Sequence, residues 1–366
     1  MSDYRNTYSR QEIFSLKVNA PDHKIYDSIR KRWDGISKPI DGLGNFEKVI
    51  CRIGAIQKKE LPTFDNRYIV IMCSDNGIVD EGVSQTGREV TYQVARMLGQ
   101  GTSTANTLAK KAAAKVMAVD MGIDCPEKIP GVIPLKVDRG TKDYLKEDAM
   151  TEEQVLMAIG SGIDVAKTLK DEDADIVVSG EMGIGNTTTA ATLLSLLVGD
   201  DGSSFVGRGA GLDDKGLLRK KEVILDAVTK YGDGKFSLDD KDKVFKYLCE
   251  VGGFDIAGLC GLFIGCGLYE IPVVIDGLIT AVAALLARCF VPGTREYMIA
   301  AHKGREKGLI RALDLLDLEP FIEGNMALGE GTGGIMLLPL IDMALDFYKS
   351  ASTFDAGGIR EYTRFS

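Results

Sequence analysis

Four short runs of apolar residues, rich in valine and isoleucine, stand out along the chain, and polar or glycine-containing segments follow them. The runs are Tyr68–Cys73 (YIVIMC), Lys115–Asp120 (KVMAVD), Asp175–Ser179 (DIVVS) and Pro272–Ile275 (PVVI). Continuous apolar runs of this length are typical of strands that are covered on both faces. The pattern therefore predicts four buried strands.

Helical patterns separate these runs. Val90–Lys111 follows the first predicted strand, Glu152–Leu169 precedes the third, Thr187–Leu197 follows the third, and Gly253–Tyr269 precedes the fourth. Strands that alternate with helices favour a parallel sheet with crossover helices on both faces. The predicted fold class is α/β, with a doubly wound parallel sheet.

The two ends of the chain have a different pattern. The stretch up to about Leu61 and the stretch from about Gly308 are mostly helical in pattern, and neither contains a convincing strand. We expect both ends to pack together beside the sheet. The predicted domains are a small helical domain made of residues 1–61 and 308–366, and a large α/β domain of residues 62–307.

The most apolar stretch of the chain, Ile271–Val291, is interrupted by Asp276, Gly277 and Arg288. A membrane span needs about twenty residues that are almost free of charge. We interpret this stretch as a buried strand followed by a buried helix. The first ten residues, MSDYRNTYSR, are polar and charged, which does not match a signal peptide.

The composition of the chain excludes some classes of binding partner. The chain has 366 residues, of which 45% are hydrophobic and 27% are charged, and its formal net charge is −9. Nucleic acids and anionic membranes bind basic surfaces, so we expect neither as a partner. The seven cysteines are scattered without a CxxC pair. This is typical of reduced thiols in a cytoplasmic protein.

Small residues and carboxylates follow the four predicted strands. The segments are Ser74–Gly77 (SDNG), Met121–Gly122 (MG), Gly180–Gly183 (GEMG) and Asp276–Gly277 (DG). Ligands of open α/β sheets bind beyond the carboxyl ends of the strands. A glycine can also simply end a strand, but four such ends together predict one shared pocket.

The segment Gly180–Thr189 (GEMGIGNTTT) leaves a predicted strand and opens a predicted helix. Its glycines let the backbone approach a ligand closely, and the free N–H groups of a helix N-terminus attract an anion. Asn186 and Thr187 suit capping or hydroxyl contacts with phosphate. A tight turn with an ordinary cap is the alternative, but the added Glu181 favours phosphate or ribose binding.

A second glycine-rich segment is Val206–Leu212 (VGRGAGL), which precedes the basic cluster Arg219–Lys221 (RKK). Alternate glycines followed by a basic cluster suit a phosphate. A surface loop that leads into a solvated helix explains the pattern nearly as well.

A third segment, Leu328–Gly334 (LGEGTGG), precedes an apolar run. A single carboxylate between glycines and next to apolar residues is a candidate base with a raised pKa. An acid that complements the dipole of a helix N-terminus is an equal alternative for Glu330.

The sequence lacks the residue patterns that common metal sites require. The chain has two histidines, His23 and His302, and it contains neither HExxH nor a zinc-ligand spacing of cysteines. We therefore predict no metal site and no cofactor.

Taken together, these segments resemble one family, the nicotinate-nucleotide:dimethylbenzimidazole phosphoribosyltransferases of cobamide (vitamin B12) lower-ligand assembly. Three strings carry the resemblance with the greatest specificity: Gly180–Thr188 (GEMGIGNTT), Val251–Asp255 (VGGFD) and Leu328–Gly333 (LGEGTG). Other matching segments occur in the same order, namely Ser37–Pro39, Gly42–Gly44, Asp75–Gly77, Glu81–Val83, Glu89–Thr91, Gly207–Leu212 and Pro272–Gly277. The resemblance covers nearly the whole chain.

The resemblance implies a Rossmann-like large domain, a small helical domain built from both chain ends, and a dimer. It implies transfer of the phosphoribosyl group of nicotinate mononucleotide to 5,6-dimethylbenzimidazole or a related base. It implies Glu330 as the general base, and a substrate site that includes Glu181, Gly183, Asn186, Thr187, Lys220, Thr86, Gln93, Gly329 and Gly331. Lys220 would contact the phosphate, and the region of Thr86 and Gln93 would lie near the incoming base.

Two positions depart from the usual pattern of the family. Asn76 stands where a histidine is usual, and Gly304 stands where a serine is usual, so a phosphate donor that Lys303 could replace is missing. These changes leave the preferred base open. The alternative to an active homodimer is a paralogue subunit of a heterodimer that activates phenolic lower ligands and has little activity alone.

Overall fold

The computed structural model describes residues 8–209, 211–234 and 237–364. The β-strands are β1 (Arg67–Ser74), β2 (Ala114–Gly122), β3 (Val132–Pro134), β4 (Ile176–Met182), β5 (Val273–Ile275) and β6 (Met298–Ala300). They form one sheet in the order β3-β2-β1-β4-β5-β6, and all neighbouring pairs are parallel. This is the strand order of a Rossmann sheet, so the predicted α/β fold class is confirmed.

The helices of the first half are α1 (Arg10–Ser15), α2 (His23–Gly35), α3 (Asn45–Gln57), α4 (Glu89–Gln100), α5 (Thr104–Lys111), α6 (Glu152–Asp171) and α7 (Asn186–Val198). Those of the second half are α8 (Asp214–Tyr231), α9 (Lys241–Val251), α10 (Phe254–Leu268), α11 (Leu278–Phe290), α12 (Lys307–Leu315), α13 (Thr332–Ser350) and α14 (Phe354–Gly357). Two short 3-10 helices, Gly77–Glu81 and Pro292–Tyr297, follow β1 and precede β6.

All four predicted strands are present, and the structure adds β3 and β6. Each added strand has only three residues, too few to produce a recognisable apolar run. The predicted helix Val90–Lys111 is two helices, because α4 ends at Gly101, whose φ of 76° is left-handed, and Ser103 caps the start of α5. The stretch Ile271–Val291 forms β5 and α11, as its pattern predicts.

Alternate residues of β1 belong to two different hydrophobic cores, one on each face of the sheet. Val70 and Met72 pack with the apolar residues of α6, α7, α10 and α11. Ile69 and Ile71 pack with residues of α2, α3, α5 and α13. Burial on both faces explains why β1 appears in the sequence as a continuous apolar run rather than an alternating one.

The two chain ends meet on one face of the sheet. Trp33 of α2 packs against Tyr348 of α13 with ring centroids 4.9 Å apart, and Ile36 forms an isolated bridge with Thr353. These helices share their hydrophobic core with the sheet. The division into domains of residues 1–61 plus 308–366 and 62–307 stays a prediction, and residues 1–7, 210, 235–236 and 365–366 of those ranges lie outside the described part.

Within the part of the chain that the structure describes, no helix is both long enough and apolar enough to cross a membrane. All seven cysteines are described, and each is a free thiol; six are buried and Cys249 is partly buried.

Candidate active site

A cavity of about 320 Å³ opens at the carboxyl edge of the sheet. The strand order reverses between β1 and β4, and this is where open α/β sheets leave a crevice for a ligand. The walls come from the segments after β4, β5 and β6, from α4 and from the loop before α13. The polar and charged side chains in the lining are those of Thr86, Glu181, Asn186, Thr187, Asp276, His302, Glu306, Glu330 and Thr332.

The ends of the four predicted strands contribute unequally to this cavity. Gly183 after β4 and Asp276 after β5 line it. Asn76 after β1 is fully buried directly behind it, where its Oδ1 accepts a hydrogen bond from Thr189 at 2.9 Å. Gly122 at the end of β2 packs against Phe254 instead. Two of the four ends thus form the shared pocket, and a third supports it.

The turn between β4 and α7 depends on glycine. A Cβ atom on Gly183 would lie 2.3 Å from the carbonyl oxygen of Ser74, so only glycine fits there. Gly185 caps α7 with a φ of 93°, which a residue with a side chain rarely adopts. The turn therefore brings the N-terminus of α7 to the cavity wall, with Asn186 and Thr187 as its first residues.

Glu181 is buried at the cavity, and its carboxylate accepts a hydrogen bond from the Asn186 amide, which also donates to Asp255 at 3.0 Å. Burial raises the pKa of Glu181 to about 8; the Asn186 bond opposes the shift, and the negative charge of Asp255 adds to it. Burial likewise raises the pKa of Asp255 to about 6. The raised pKa favours the protonated form of Glu181 over a wider pH range than in an exposed glutamate.

Lys220 extends from α8 towards the N-terminus of α7. Its side chain is 1% exposed, and its ammonium group donates a hydrogen bond of 2.8 Å to the hydroxyl of Thr187. Burial lowers the pKa of Lys220 to about 8, and the negative charge of Glu306 partly opposes that shift. A Cβ atom on Gly209, which lines the cavity, would lie 3.6 Å from the ammonium nitrogen. The ammonium group thus lies beside two lining residues, Thr187 and Gly209, although Lys220 itself is not part of the described lining.

The rest of the second glycine-rich segment is less closely involved. Arg219 forms an ion pair with Glu81 at 2.6 Å, and Lys221 is exposed. Ala210 of this segment lies outside the described residues. Of the predicted basic cluster, Lys220 contacts a residue of the cavity lining, Thr187.

Glu330 lies in a turn of three consecutive left-handed residues. The φ angles are 85° at Gly329, 56° at Glu330 and 74° at Gly331, which caps α13. The turn packs directly on β4, because a Cβ atom on Gly180 would lie 2.8 Å from the backbone nitrogen of Gly331. The first and third glycine-rich segments therefore contact each other, and this contact puts Glu330 in the same cavity as Glu181.

The carboxylate of Glu330 is partly buried and accepts a hydrogen bond from the backbone N–H of Ala105 at 3.2 Å. Burial raises its pKa, while this bond and one from the Ser103 hydroxyl oppose the shift. Both sequence interpretations of Glu330, the base and the helix-dipole acid, remain compatible with this geometry. Its carboxylate complements the N-terminus of α5, not that of α13, the helix that it precedes.

The remaining predicted site residues fall into two groups. Thr86 and Gly329 line the cavity, and Thr86 is exposed. Gln93 is exposed on α4 and is not part of the described lining, although Val90 and Val94 on the same helix are. Gly331 is likewise outside the lining and acts as the cap of α13.

The lining also contains three ionisable side chains that were not among the predicted site residues, namely Asp276, His302 and Glu306. Asp276 accepts hydrogen bonds from the N–H groups of Gly333 at 2.6 Å and Gly334 at 3.1 Å, and so caps α13. The Nε2 atom of His302 lies 3.7 Å from Asp276. Glu306, just before α12, completes the group. Asp276 follows a predicted strand, which is a usable signal, whereas Glu306 lies in a charged loop without one.

Gly304, where a serine is usual in the family, and its neighbour Lys303 have different surroundings. Gly304 lines the cavity, and a Cβ atom there would lie 3.3 Å from Cε1 of His302. The ammonium group of Lys303 instead pairs with Glu323 at 2.8 Å, and Lys303 is not part of the described lining. The structure therefore does not bring Lys303 to the position of the missing serine.

Among residues 8–209, 211–234 and 237–364, no group of three or more histidine, cysteine, aspartate or glutamate side chains could hold a metal ion.

The fold agrees with the comparisons with known proteins. Residues 18–359 match the family model of the phosphoribosyltransferases, so the protein is an enzyme of the phosphoribosyltransferase class. Over 345 residues the chain is 37% identical to the nicotinate-nucleotide–dimethylbenzimidazole phosphoribosyltransferase of Clostridium acetobutylicum, a match that covers 94% of this chain and 96% of that protein. The chain belongs to the nicotinate-nucleotide–dimethylbenzimidazole phosphoribosyltransferase family, as its sequence motifs predict.

Two further comparisons agree. The enzyme of the same name from Ruminiclostridium cellulolyticum is 38% identical over 333 residues, which are 91% of this chain and 93% of that protein. The crystal structure of CobT from Thermus thermophilus superposes with a TM-score of 0.85 at 32% identity, covering 93% of this chain and 100% of that one.

Proposed function

We propose that this protein transfers the phosphoribosyl group of nicotinate mononucleotide to 5,6-dimethylbenzimidazole or a related lower-ligand base. The products are nicotinate and an α-riboside 5′-phosphate of the base, for cobamide biosynthesis. The observation that carries the proposal is the contact of the Gly180 and Gly331 backbones, which puts Glu330 in one cavity with Thr187, the residue to which Lys220 donates a hydrogen bond. A base for the acceptor and a cation for the donor's phosphate therefore occur in the same site.

The phosphate is held by the N-terminus of α7 and by Lys220. The free N–H groups of the first turn of a helix attract an anion, and an ammonium group adds a charge-assisted contact. Thr187 belongs to that first turn, and its hydroxyl already accepts a hydrogen bond from Lys220 at 2.8 Å. Helix and lysine thus converge on one phosphate position.

Glu330 is the general base. One ring nitrogen of the benzimidazole attacks the anomeric carbon through its lone pair while the other nitrogen still carries a proton. The carboxylate takes that proton, so the positive charge that builds on the ring is neutralised. The raised pKa of Glu330 makes the carboxylate a stronger base than an exposed one.

The donor supplies its own leaving group. As the new bond forms, the bond from the anomeric carbon to the pyridinium nitrogen breaks, and its electron pair neutralises the ring. Nicotinate departs without protonation, so the chemistry requires no acid at this position. Attack from the opposite face inverts the anomeric carbon, which converts the β-nucleotide into an α-riboside phosphate.

A catalytically weak partner subunit is not favoured. Relatives that match nine-tenths of the chain are named as the enzyme, and Glu330, Glu181 and Lys220 are all present. Asn76 lies behind Gly183 and is fully buried, so it does not offer a direct contact to the base. The base contacts that remain in the proposal come from the α4 side of the cavity, near Thr86.

The proposed enzyme is a cytoplasmic homodimer. Seven free thiols suit a reducing compartment. Four exposed apolar residues lie along one stripe of α13, namely Met336, Leu340, Met343 and Phe347, with exposed fractions of 48%, 37%, 69% and 38%. A continuous apolar stripe of this kind is typical of a surface that a second subunit covers.

The test is incubation of the purified chain with nicotinate mononucleotide and a panel of benzimidazoles, adenine and phenols, with products identified by mass spectrometry. We expect an α-riboside phosphate from 5,6-dimethylbenzimidazole and from several other bases. Turnover that requires a second, different subunit would overturn the homodimer. Absence of product with every base, alone and with such a subunit, would overturn the function.

A further inference from the structure

Four carboxylates line the cavity, and three of them have hydrogen-bond partners within the protein. The partners of Glu181, Asp276 and Glu330 are the Asn186 amide and backbone N–H groups of α13 and α5. The fourth carboxylate, Glu306, accepts no hydrogen bond from any residue of the described part of the chain.

The protein makes room for Glu306 at the cavity wall. A Cβ atom on Gly207 would lie 2.9 Å from its Oε1 atom, so the second glycine-rich segment is shaped around this carboxylate. Lys220 and His302 are the groups whose charges act on it, and both lower a pKa that burial raises. Glu306 is partly buried, so an ionised carboxylate here that a bound ligand shields from water would need a hydrogen-bond donor from that ligand.

A bound substrate can supply those hydrogen bonds only from a donor group, because a carboxylate only accepts. In nicotinate mononucleotide at neutral pH, the phosphate and the pyridine carboxylate are ionised acceptors. The hydrogen-bond donors that remain are the 2′- and 3′-hydroxyls of the ribose. Since Thr187 and Lys220 already define the phosphate position, the unpaired carboxylate in the same cavity matches a ribose hydroxyl.

We propose that Glu306 binds a ribose hydroxyl of the phosphoribosyl donor and thereby selects ribonucleotides over deoxyribonucleotides. This assignment rests on the proposed function, because it takes nicotinate mononucleotide as the donor. Glu306 is then a specificity-determining residue, separate from the phosphate contact of Lys220 and from the proton transfer to Glu330.

The test is calorimetric binding of nicotinate mononucleotide and its 2′-deoxy and 3′-deoxy analogues to the full chain and to Glu306→Ala. A hydrogen bond to a charged group corresponds to a factor of about 10 to 100 in affinity. We expect one deoxy analogue to bind the unmodified protein more weakly by that factor. In Glu306→Ala, the affinity for nicotinate mononucleotide should fall by the same factor. Removal of the same hydroxyl should then change the affinity of the variant less than about twofold, because the effects of two groups that contact each other are not additive.

Equal weakening of all three nucleotides by Glu306→Ala would overturn the assignment, since it would show that Glu306 only attracts the pyridinium charge. Glu306→Leu fills much of the same space without any hydrogen-bond acceptor and serves if the alanine variant does not fold; loss of discrimination is expected there too, and unchanged discrimination also overturns the proposal. Glu323→Ala, which removes an exposed carboxylate paired with Lys303, is the matched control. Because the readout is binding, hydroxyl-dependent affinity without transfer to any base would leave this assignment standing and refute the proposed function alone.

Discussion

The carboxylate of Glu330 accepts a hydrogen bond from the backbone N–H of Ala105 at 3.2 Å, although the two residues lie 225 positions apart in the chain. Ala105 belongs to the first turn of α5, so the positive end of that helix faces the proposed general base. This contact fixes the direction of the carboxylate. It also limits the rise in pKa that burial causes, and so keeps the base ionised at a lower pH than burial alone would.

We expect Glu330→Gln to lower kcat at least about a hundredfold, which is within the usual range for general-base catalysis. Glutamine keeps the shape and a hydrogen-bond acceptor for Ala105, but it cannot take the proton of the benzimidazole. Steady-state kinetics with calorimetric binding of both substrates measures this, and binding should change little. Glu323→Gln is an exposed control. Near-normal turnover of Glu330→Gln would leave Glu330 as a structural acceptor, with Glu181 the next candidate for the base.

The buried carboxyl of Glu181 predicts a pH dependence of stability. Burial raises its pKa from 4.5 to about 8, so the folded protein holds a proton that the unfolded chain releases in this range. The stability from this group is complete below about pH 4.5 and is lost as the pH rises to about 8. Each unit of pKa difference corresponds to about 1.4 kcal/mol.

Glu181→Gln resembles the protonated acid at every pH. We therefore expect the difference in melting temperature between Glu181→Gln and the unmodified protein to grow in favour of the variant from pH 5 to pH 9. Differential scanning calorimetry at fixed ionic strength measures it, with the exposed Glu153→Gln as control. A difference that stays constant across this range would show that Glu181 is ionised throughout.

Most of the strands and helices can be predicted from short segments of the sequence. Parts of the site cannot, because they depend on contacts between segments that are distant in the chain. Tyr68–Cys73 is recognisable as a strand because both of its faces are buried, whereas Met298–Ala300 is too short to differ from the surrounding apolar sequence. Glu330 is conspicuous because a glycine stands on each side of it, and Glu181 because it follows Gly180; the structure shows that Gly180 and Gly331 must approach closely. Glu306 gives no such signal, because its importance comes only from the side chains that fold around it.

Chelation of metal ions should not affect turnover. The pyridinium of nicotinate mononucleotide leaves as a neutral ring, so no Lewis acid is needed to stabilise a departing anion. Initial rates with and without EDTA measure this, with added magnesium as the control. Loss of activity in EDTA that magnesium restores would contradict the mechanism and favour a pyrophosphate-containing donor.

The apolar stripe of α13 predicts the oligomeric state. Met343 is 69% exposed at its centre, and a lysine there would place a charge inside the proposed subunit interface. We expect the unmodified protein to be a dimer by light scattering and Met343→Lys to be a monomer with unchanged helical content. Lys349→Ala, on the same helix but off the stripe, is the control. A dimer that persists in Met343→Lys would place the interface on another surface.

Lys220 provides the sharpest test of the phosphate site, because the contact made by its ammonium group and the pKa of that group can be tested separately. In the proposed site, the ammonium group makes a charge-assisted hydrogen bond to the phosphate of the donor. Lys220→Ala removes this bond, so the KM for nicotinate mononucleotide should rise about ten- to a hundredfold while the KM for the base changes little. Burial also lowers its pKa to about 8, so in the free enzyme the charge is lost as the pH rises through this value.

Affinity for nicotinate mononucleotide should therefore fall between about pH 7 and pH 9 in the unmodified protein, since only the protonated lysine attracts the phosphate. In Lys220→Ala the affinity is lower at every pH, and this decline should disappear. Calorimetric titrations at several pH values measure both effects. Lys221→Ala is the matched control, because this neighbouring lysine is exposed. A decline of equal size in Lys220→Ala would assign the pH dependence to another group, and equal effects on both substrates would show that Lys220 supports the fold rather than the phosphate.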